Sequence, residues 1–373
     1  MSTIGYLPPR GARLRSSLLD LPAYRPGRRP DGADTLKLSA NENPYPPLPA
    51  VLTAVAAAAA DLNRYPDPAA TALTAALATE LAVPPACIAT GTGSIGVLQQ
   101  IVQAVAGPGD EVVYAWRSFE AYPLVTRIAE ARPVPVPLTA DERHDLTAMA
   151  DAVTERTRLV IVCTPNNPTG TVVGAAELRR FLSDVPSDVL VVLDEAYLEF
   201  VDNPAAVRGM EFFRQYRNVC LLRTFSKAHG LAGLRVGYAV AAEPVAAAVR
   251  RTAIPFGVSS VAQAAAIASL AARAGMGDRV AALRVERARL TAAVRDQGWQ
   301  VRDSHGNFIW LPLGGASEAV ADRCARHGLL VRPYGDDGVR ITVADPSAND
   351  RLIAVLRRLR HDRAVIQTGT LPR

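Results

Sequence analysis

Between residues 111 and 241, short runs of continuously apolar residues alternate with longer stretches whose apolar positions recur every three or four residues. The runs are EVVYAW (111–116), RLVIVC (158–163), VLVVLD (189–194), VCLLRT (219–224) and VGYAVA (236–241). A strand with one wet face alternates apolar and polar residues, whereas a strand covered on both faces has no need to. Unbroken apolar runs separated by helical patterns therefore predict a parallel sheet built of βα units. One intervening helix is expected over 174–185, after Gly174. Ahead of the sheet, 50–60 and 69–82 carry helical patterns; behind it, 260–274 reads as a helix and 278–297 as a long amphipathic one. Two short strand patterns, FIWLPL (308–313) and VRITV (339–343), flank a helical stretch at 316–327. The expected fold is α/β. A three-layer α/β/α unit around a mostly parallel sheet occupies 39–255, and a smaller α+β unit occupies 256–361. An N-terminal arm (1–38) and a tail expected to be disordered (362–373) complete the chain.

Composition narrows the class. A length of 373 residues accommodates two domains of roughly 100–200 residues each, and 49% hydrophobic with 21% charged residues is a soluble, globular balance. No apolar stretch reaches the roughly 18 residues a bilayer span needs. The start, MSTIGYLPPRGARLR, lacks the apolar core and small-residue cleavage site of a secretion signal, so a cytoplasmic protein is expected. Cys87, Cys163, Cys220 and Cys324 are scattered, without a CxxC pair or a histidine at ligand spacing, which predicts reduced thiols and no metal site. The net charge of +5 comes from arginines interleaved with acidic residues rather than from a basic block, which argues against a nucleic-acid partner. Of 41 basic residues only Lys37 and Lys227 are lysines. Lysine can lose its proton and form an imine, which the permanently charged guanidinium cannot. Lys37 is expected on a surface strand, which leaves Lys227 as the candidate amine.

Ligands of open α/β sheets bind beyond the carboxyl ends of the strands, and the unusual polar residues fall there. Arg117-Ser118-Phe119 follows the first run, and Thr164-Pro165-Asn166-Asn167-Pro168-Thr169-Gly170 the second. Asp194, then Glu195, Ala196 and Tyr197, follow the third; Thr224-Phe225-Ser226-Lys227 follows the fourth. A lysine that forms an imine with a carbonyl cofactor works best with a carboxylate that keeps the cofactor's ring nitrogen protonated. Asp194 is placed for that role, or else caps the next helix. Asn167 and Tyr197 can donate to a ring oxygen; equally, NNPTG can be a plain turn and Tyr197 a core aromatic. Thr90-Gly91-Thr92-Gly93-Ser94-Ile95-Gly96 enters the helical pattern VLQQIVQAV, and such a loop offers free N–H groups to an anion. The glycines also permit a dinucleotide loop, although no acidic residue follows at the required spacing. Ser226 and Arg235 are candidates for the far side of a phosphate site, with a surface or ion-paired Arg235 as the alternative.

The stretches SANENP (39–44), NRYPDP (63–68), TPNNPTG (164–170), LDEAY (193–197) and RTFSKAHGLAGLRVGY (223–238) resemble, in letters, order and spacing, those of fold-type-I pyridoxal-phosphate aminotransferases of the histidinol-phosphate aminotransferase branch. The resemblance runs from about residue 20 to 360. Within that branch, WRSFEAYP (116–123) and VRPYGDDGVRIT (331–342) are more similar to bacterial aromatic amino acid (phenylalanine) aminotransferases. It implies pyridoxal 5'-phosphate joined as an imine to Lys227, which also shuttles the proton of transamination. It implies further that Asp194 pairs with the pyridine nitrogen, that Asn167 and Tyr197 contact the ring oxygen, and that Phe119 stacks on the ring. Gly93, Ser94, Thr224, Ser226 and Arg235 would hold the phosphate, together with Tyr65 from the neighbouring subunit of a homodimer. Arg340 would bind the substrate carboxylate, with Asn307, Arg332, Tyr24 and Asn167 nearby.

Two positions depart from the histidinol-phosphate pattern. Phe119 stands where those enzymes usually carry tyrosine, and His229 where tyrosine or phenylalanine is common. Arg332 and Arg340 are both present, the pair that in those enzymes holds the substrate phosphate. The implied activity is ping-pong transfer of an amino group from an aromatic L-amino acid to 2-oxoglutarate. The same scaffold carries histidinol-phosphate aminotransferases and decarboxylases of phosphorylated amino acids, and the products distinguish them. A regulator that senses the cofactor would need a DNA-binding domain, for which about 20 residues ahead of the match leave no room.

Overall fold

The structure, a computed structural model, describes residues 34–361 together with Arg15, Leu18, Leu21 and Arg28. Tyr24, most of the arm and the tail from 362 lie outside the described residues.

Seven strands form the main sheet: β2 (Ile88–Gly91), β3 (Glu111–Trp116), β4 (Arg132–Pro137), β5 (Thr157–Cys163), β6 (Leu190–Asp194), β7 (Val219–Thr224) and β8 (Gly237–Val240). Their spatial order is β2-β8-β7-β6-β5-β3-β4. The four strands read as ending in polar residues, β3, β5, β6 and β7, are neighbours and run parallel. Cys163 pairs with Asp194 and Asp194 with Leu222, so the strand ends share one edge.

β8 does not continue the parallel series; it is antiparallel to both β7 and β2. A parallel connection needs a crossover of a dozen or more residues, usually with a helix. Residues 225–236 contain only the lysine loop and the single turn Ala232–Leu234, so the chain turns back. β2 and β4 are not among the predicted runs. β2 is only four residues long. β4 reads RPVPVP, and three prolines in six residues cannot donate ladder hydrogen bonds, which confines it to the sheet edge.

Two apolar clusters cover the faces of this sheet. One includes Val160, Val162, Val191, Leu193 and Leu221 with Leu73, Leu77 and Phe181; the other includes Leu159, Ile161, Val192 and Cys220 with Val97, Ile101 and Tyr122. A third core gathers Val280, Leu283, Leu290, Ile309, Leu311, Val339, Ile341, Leu352 and Leu356 around a sheet of order β11-β12-β9, with β9 (Phe308–Leu311), β11 (Arg332–Pro333) and β12 (Val339–Thr342). Helix Ser260–Ala271, expected in the smaller unit, buries Ala262, Ala265 and Ala266 in the first core instead. Its small side chains suit close packing on helix Pro49–Ala59, itself alanine-rich. β1 (Leu36–Lys37) pairs in parallel with β10 (Leu329–Leu330), which ties the start of the described chain to the smaller unit. All four cysteines are free and buried. Among the described residues no helix is long and apolar enough to cross a membrane.

Candidate active site

A cavity of about 460 Å³ opens at the carboxyl ends of β3, β5, β6 and β7, against the β11–β12 hairpin. It is lined by Lys227, Asp194, Tyr197, Asn167 and Phe119, by Ser94, Thr224, Ser226 and Arg235, and by Arg332 and Arg340. Eleven side chains chosen along the sequence thus meet in one place of small-molecule size.

Lys227 projects from the loop after β7. Its Nζ donates to the carbonyls of Ala40 (3.0 Å) and Asn41 (3.3 Å). Burial first, and the charge of Arg340 second, bring its ammonium down to about 7. Asp194, the last residue of β6, is buried, and burial raises its carboxyl to about 6 against the pull of a hydrogen bond from Tyr122. Tyr122 Oη donates to Oδ2 at 2.8 Å, and the Ala196 N–H donates to Oδ1 at 3.2 Å. Both readings of Asp194 therefore hold in part: one oxygen caps the following turn while the side chain faces the cavity. Tyr197 is likewise both core and site, with its ring edge-on to Phe308 at 5.1 Å and its hydroxyl accepting from Asn41 Nδ2 at 2.9 Å.

At the other end of the cavity, helix Gly93–Val105 begins without a side-chain cap, so the N–H groups of its first turn are not claimed by Thr92. Thr224 Oγ1 donates to Ser226 Oγ at 3.0 Å, and Arg235 Nη1 approaches the same oxygen at 3.4 Å. Arg235 makes no ion pair among the described residues and donates to the Ala232 carbonyl at 2.9 Å. Gly93 has φ +76°, and a Cβ there would lie 2.5 Å from Arg235 Nη2. Hydroxyls, a guanidinium and an uncapped helix start round a space kept open by glycine form an anion cradle.

Arg340 is buried, and its partners are neutral: Asn167 Oδ1, Tyr334 Oη at 2.9 Å and the Ser39 carbonyl at 2.6 Å. Its Nε has no hydrogen-bond partner among the described residues. Arg332, opposite it, is ion-paired with Glu120 at 2.7 Å.

Two expected residues lie elsewhere, and a third falls outside the described residues. Asn307 does not line the cavity; its Nδ2 supports the Asn41 carbonyl from behind at 3.1 Å. Tyr65 is 83% exposed and packs on Phe256. Tyr24 is not among the described residues. Two residues without an assigned role prove central. Asn41 is fully buried and joins Tyr197, Thr342, Asn307 and Lys227. Tyr122 supplies the one side-chain donor to Asp194 among the described residues. Both lie inside quoted motifs, SANENP and WRSFEAYP, and that was the only signal available. His229 now has a physical account: Nδ1 lies 2.8 Å from Ser269 Oγ and the ring packs on Phe225. Burial lowers it to about 4, so it joins the lysine loop to helix Ser260–Ala271 as a neutral group.

The chain is similar to known proteins along nearly its whole length. The aromatic amino acid aminotransferase of Streptomyces coelicolor is 59% identical over 94% of this chain and 98% of its own. That of Thermobifida fusca is 54% identical over 92% and 96%. The crystal structure of histidinol-phosphate aminotransferase from Sinorhizobium meliloti, in complex with pyridoxal-5'-phosphate, superposes with a TM-score of 0.85 at 32% identity, covering 93% of this chain and 98% of that one. The family model for aminotransferase class I and II matches residues 33–356. The chain belongs to the aminotransferase class I and II family.

Proposed function

We propose that the protein is an aromatic amino acid aminotransferase that holds pyridoxal 5'-phosphate at Lys227 and moves the amino group of phenylalanine, tyrosine or tryptophan to 2-oxoglutarate in two half-reactions. The observation that carries this reading is a single cavity in which a depressed lysine, a buried carboxylate and an anion cradle converge.

The residues fit the cofactor. The cradle of Gly93, Ser94, Thr224, Ser226 and Arg235 suits its phosphate. Asp194 has no cationic side chain in hydrogen-bonding contact and suits a protonated ring nitrogen, whose charge would hold the carboxylate ionised against burial. The Tyr197 oxygen already accepts from Asn41, which leaves its own O–H free for a ring oxygen. Asn167 flanks it, and Phe119 supplies an apolar face. When bound, pyridoxal phosphate supplies a carbonyl carbon that takes the amino group and an electron-poor ring that stabilises charge developing at the substrate Cα. Lys227, about half of it neutral at pH 7, takes the Cα proton and returns it on the far side of the transfer. Arg340, a buried cation with neutral partners, orients the substrate carboxylate.

The aromatic preference rests on relatives above 50% identity, the two described among them, and on the aromatic walls of the cavity, Phe119 and Tyr334. We infer a homodimer with shared sites, in which Tyr65 serves the neighbouring cofactor, and a cytoplasmic location in keeping with four free thiols. We place the boundary between the two units after helix Ser260–Ala271.

Lys227→Ala is expected to abolish turnover and the visible absorbance of covalently held pyridoxal phosphate, while binding of the free cofactor persists. A panel of phenylalanine, tyrosine, tryptophan, histidinol phosphate and aliphatic amino acids with 2-oxoglutarate tests the substrate. A strong preference for histidinol phosphate would replace the substrate assignment and leave the lysine chemistry standing.

A further inference from the structure

The two arginines of the β11–β12 hairpin stand directly opposite each other and both line the cavity, yet their electrostatic situations differ. Arg340 is buried, makes no ion pair among the described residues and keeps an unpartnered Nε. Arg332 is covered: Nη2 donates to Glu120 Oε2 at 2.7 Å, with the side chains only 14% and 31% exposed. Glu120 is the residue immediately before helix Ala121–Ile128 and also lines the cavity. The other charges at this mouth are spoken for: Lys37 pairs with Glu42 at 3.0 Å, and Arg117 with Asp337 at 2.6 Å. The substrate end of the cavity therefore offers one guanidinium open to an anion and a second one occupied.

We propose that Glu120 is a specificity-determining residue, whose carboxylate holds Arg332 and sets the pocket against substrates with a second anionic group. The proposal rests on the aminotransferase reading above, in which Arg340 takes the α-carboxylate. A distal carboxylate must compete with Glu120 for Arg332. Displacing Glu120 strands a sheltered carboxylate; leaving it in place sets two anions side by side. A neutral aromatic side chain asks nothing of Arg332, so the pair stays closed and forms part of the pocket wall. The same pair opposes 2-oxoglutarate, whose distal carboxylate has to open it. Glu120 acts through Arg332 and touches no reacting atom.

The test is a set of single-turnover half-reactions of the holoenzyme with phenylalanine, glutamate and aspartate as separate donors. In Glu120→Gln the kcat/KM of glutamate and of aspartate, each divided by that of phenylalanine, is expected to rise roughly tenfold, chiefly through KM, as relief of one close charge competition allows. Adding Arg332→Gln to that variant should remove the gain. Asp337→Asn breaks the neighbouring ion pair between the same two segments and should leave the donor ratios unchanged, which separates an electrostatic filter from a loosened wall. Unchanged ratios in Glu120→Gln, or equal changes for all three donors, would overturn the proposal. A shift of the same size in Asp337→Asn would do so as well. A wild-type enzyme inactive on phenylalanine would instead count against the substrate reading.

Discussion

Burial and the positive charge of Arg340 bring the Lys227 ammonium down to about 7, while Glu42 pulls the other way. The neutral amine is the form that captures a carbonyl, and its fraction grows as pH rises through that value. Capture of pyridoxal phosphate by the cofactor-free protein should accelerate with pH and level off above about 8, once the amine is mostly neutral. Removing a nearby cation makes protonation easier, so Arg340→Gln should move the midpoint upward; stopped-flow absorbance at a series of pH values measures both. A midpoint unmoved in Arg340→Gln would show that the two charges do not communicate. Asp194 was legible in the sequence because it ends an apolar strand, and Lys227 because it lies three residues beyond another and is one of only two lysines. Asn41 and Tyr122 were not, because their roles come from contacts 156 and 72 residues away along the chain. Neither position carries a local pattern that marks such a contact.

The phosphate cradle depends on how one helix starts. Gly93 opens helix Gly93–Val105 with a left-handed φ of +76°, a conformation in which a Cβ is disfavoured. In this case the Cβ would also collide with the guanidinium of Arg235. Gly93→Ala should therefore displace Arg235 and tilt the first-turn N–H groups, weakening pyridoxal phosphate roughly tenfold or more, with the far-ultraviolet circular dichroism unchanged. Equilibrium titration of the cofactor-free variant checks it, and wild-type affinity would show that the helix start is not the anchor. The glycine-rich approach was visible in the sequence, as were β3, β5, β6 and β7, because both-face burial leaves unbroken apolar runs. The elements that were not visible lack that signature. Proline occupies alternate positions of β4, and β2 is too short to show a period. The reversed direction of β8 follows from the absence of a crossover helix, a property of the connection rather than of the strand.

At the scale of the whole molecule, large apolar side chains remain exposed near the cradle side of the fold. Leu62, Tyr65, Ile254 and Phe256 are 66%, 83%, 73% and 43% exposed, and the rings of Tyr65 and Phe256 pack at 4.7 Å. Burying such side chains contributes about 1.5–3 kcal/mol each, and a second copy of the chain related by a twofold axis would cover the patch with itself. If Tyr65 then serves the neighbouring cradle, each active site needs two chains. Phe256→Asp places a charge in that contact and should convert the proposed dimer to a monomer of 39.6 kDa in sedimentation, with activity lost. Lost activity alone does not separate a shared site from a dimer needed only for stability, but mixing two defective enzymes does. Lys227→Ala lacks the amine, whereas Tyr65→Ala lacks only the cross-subunit contact. In a mixed dimer one site carries both defects and the other carries neither. Equal amounts unfolded and refolded together should regain roughly a quarter of wild-type activity, since half the dimers are mixed and each has one intact site. Recovery no greater than the sum of the two parents would mean that Tyr65 acts within its own chain and does not complete a neighbouring site.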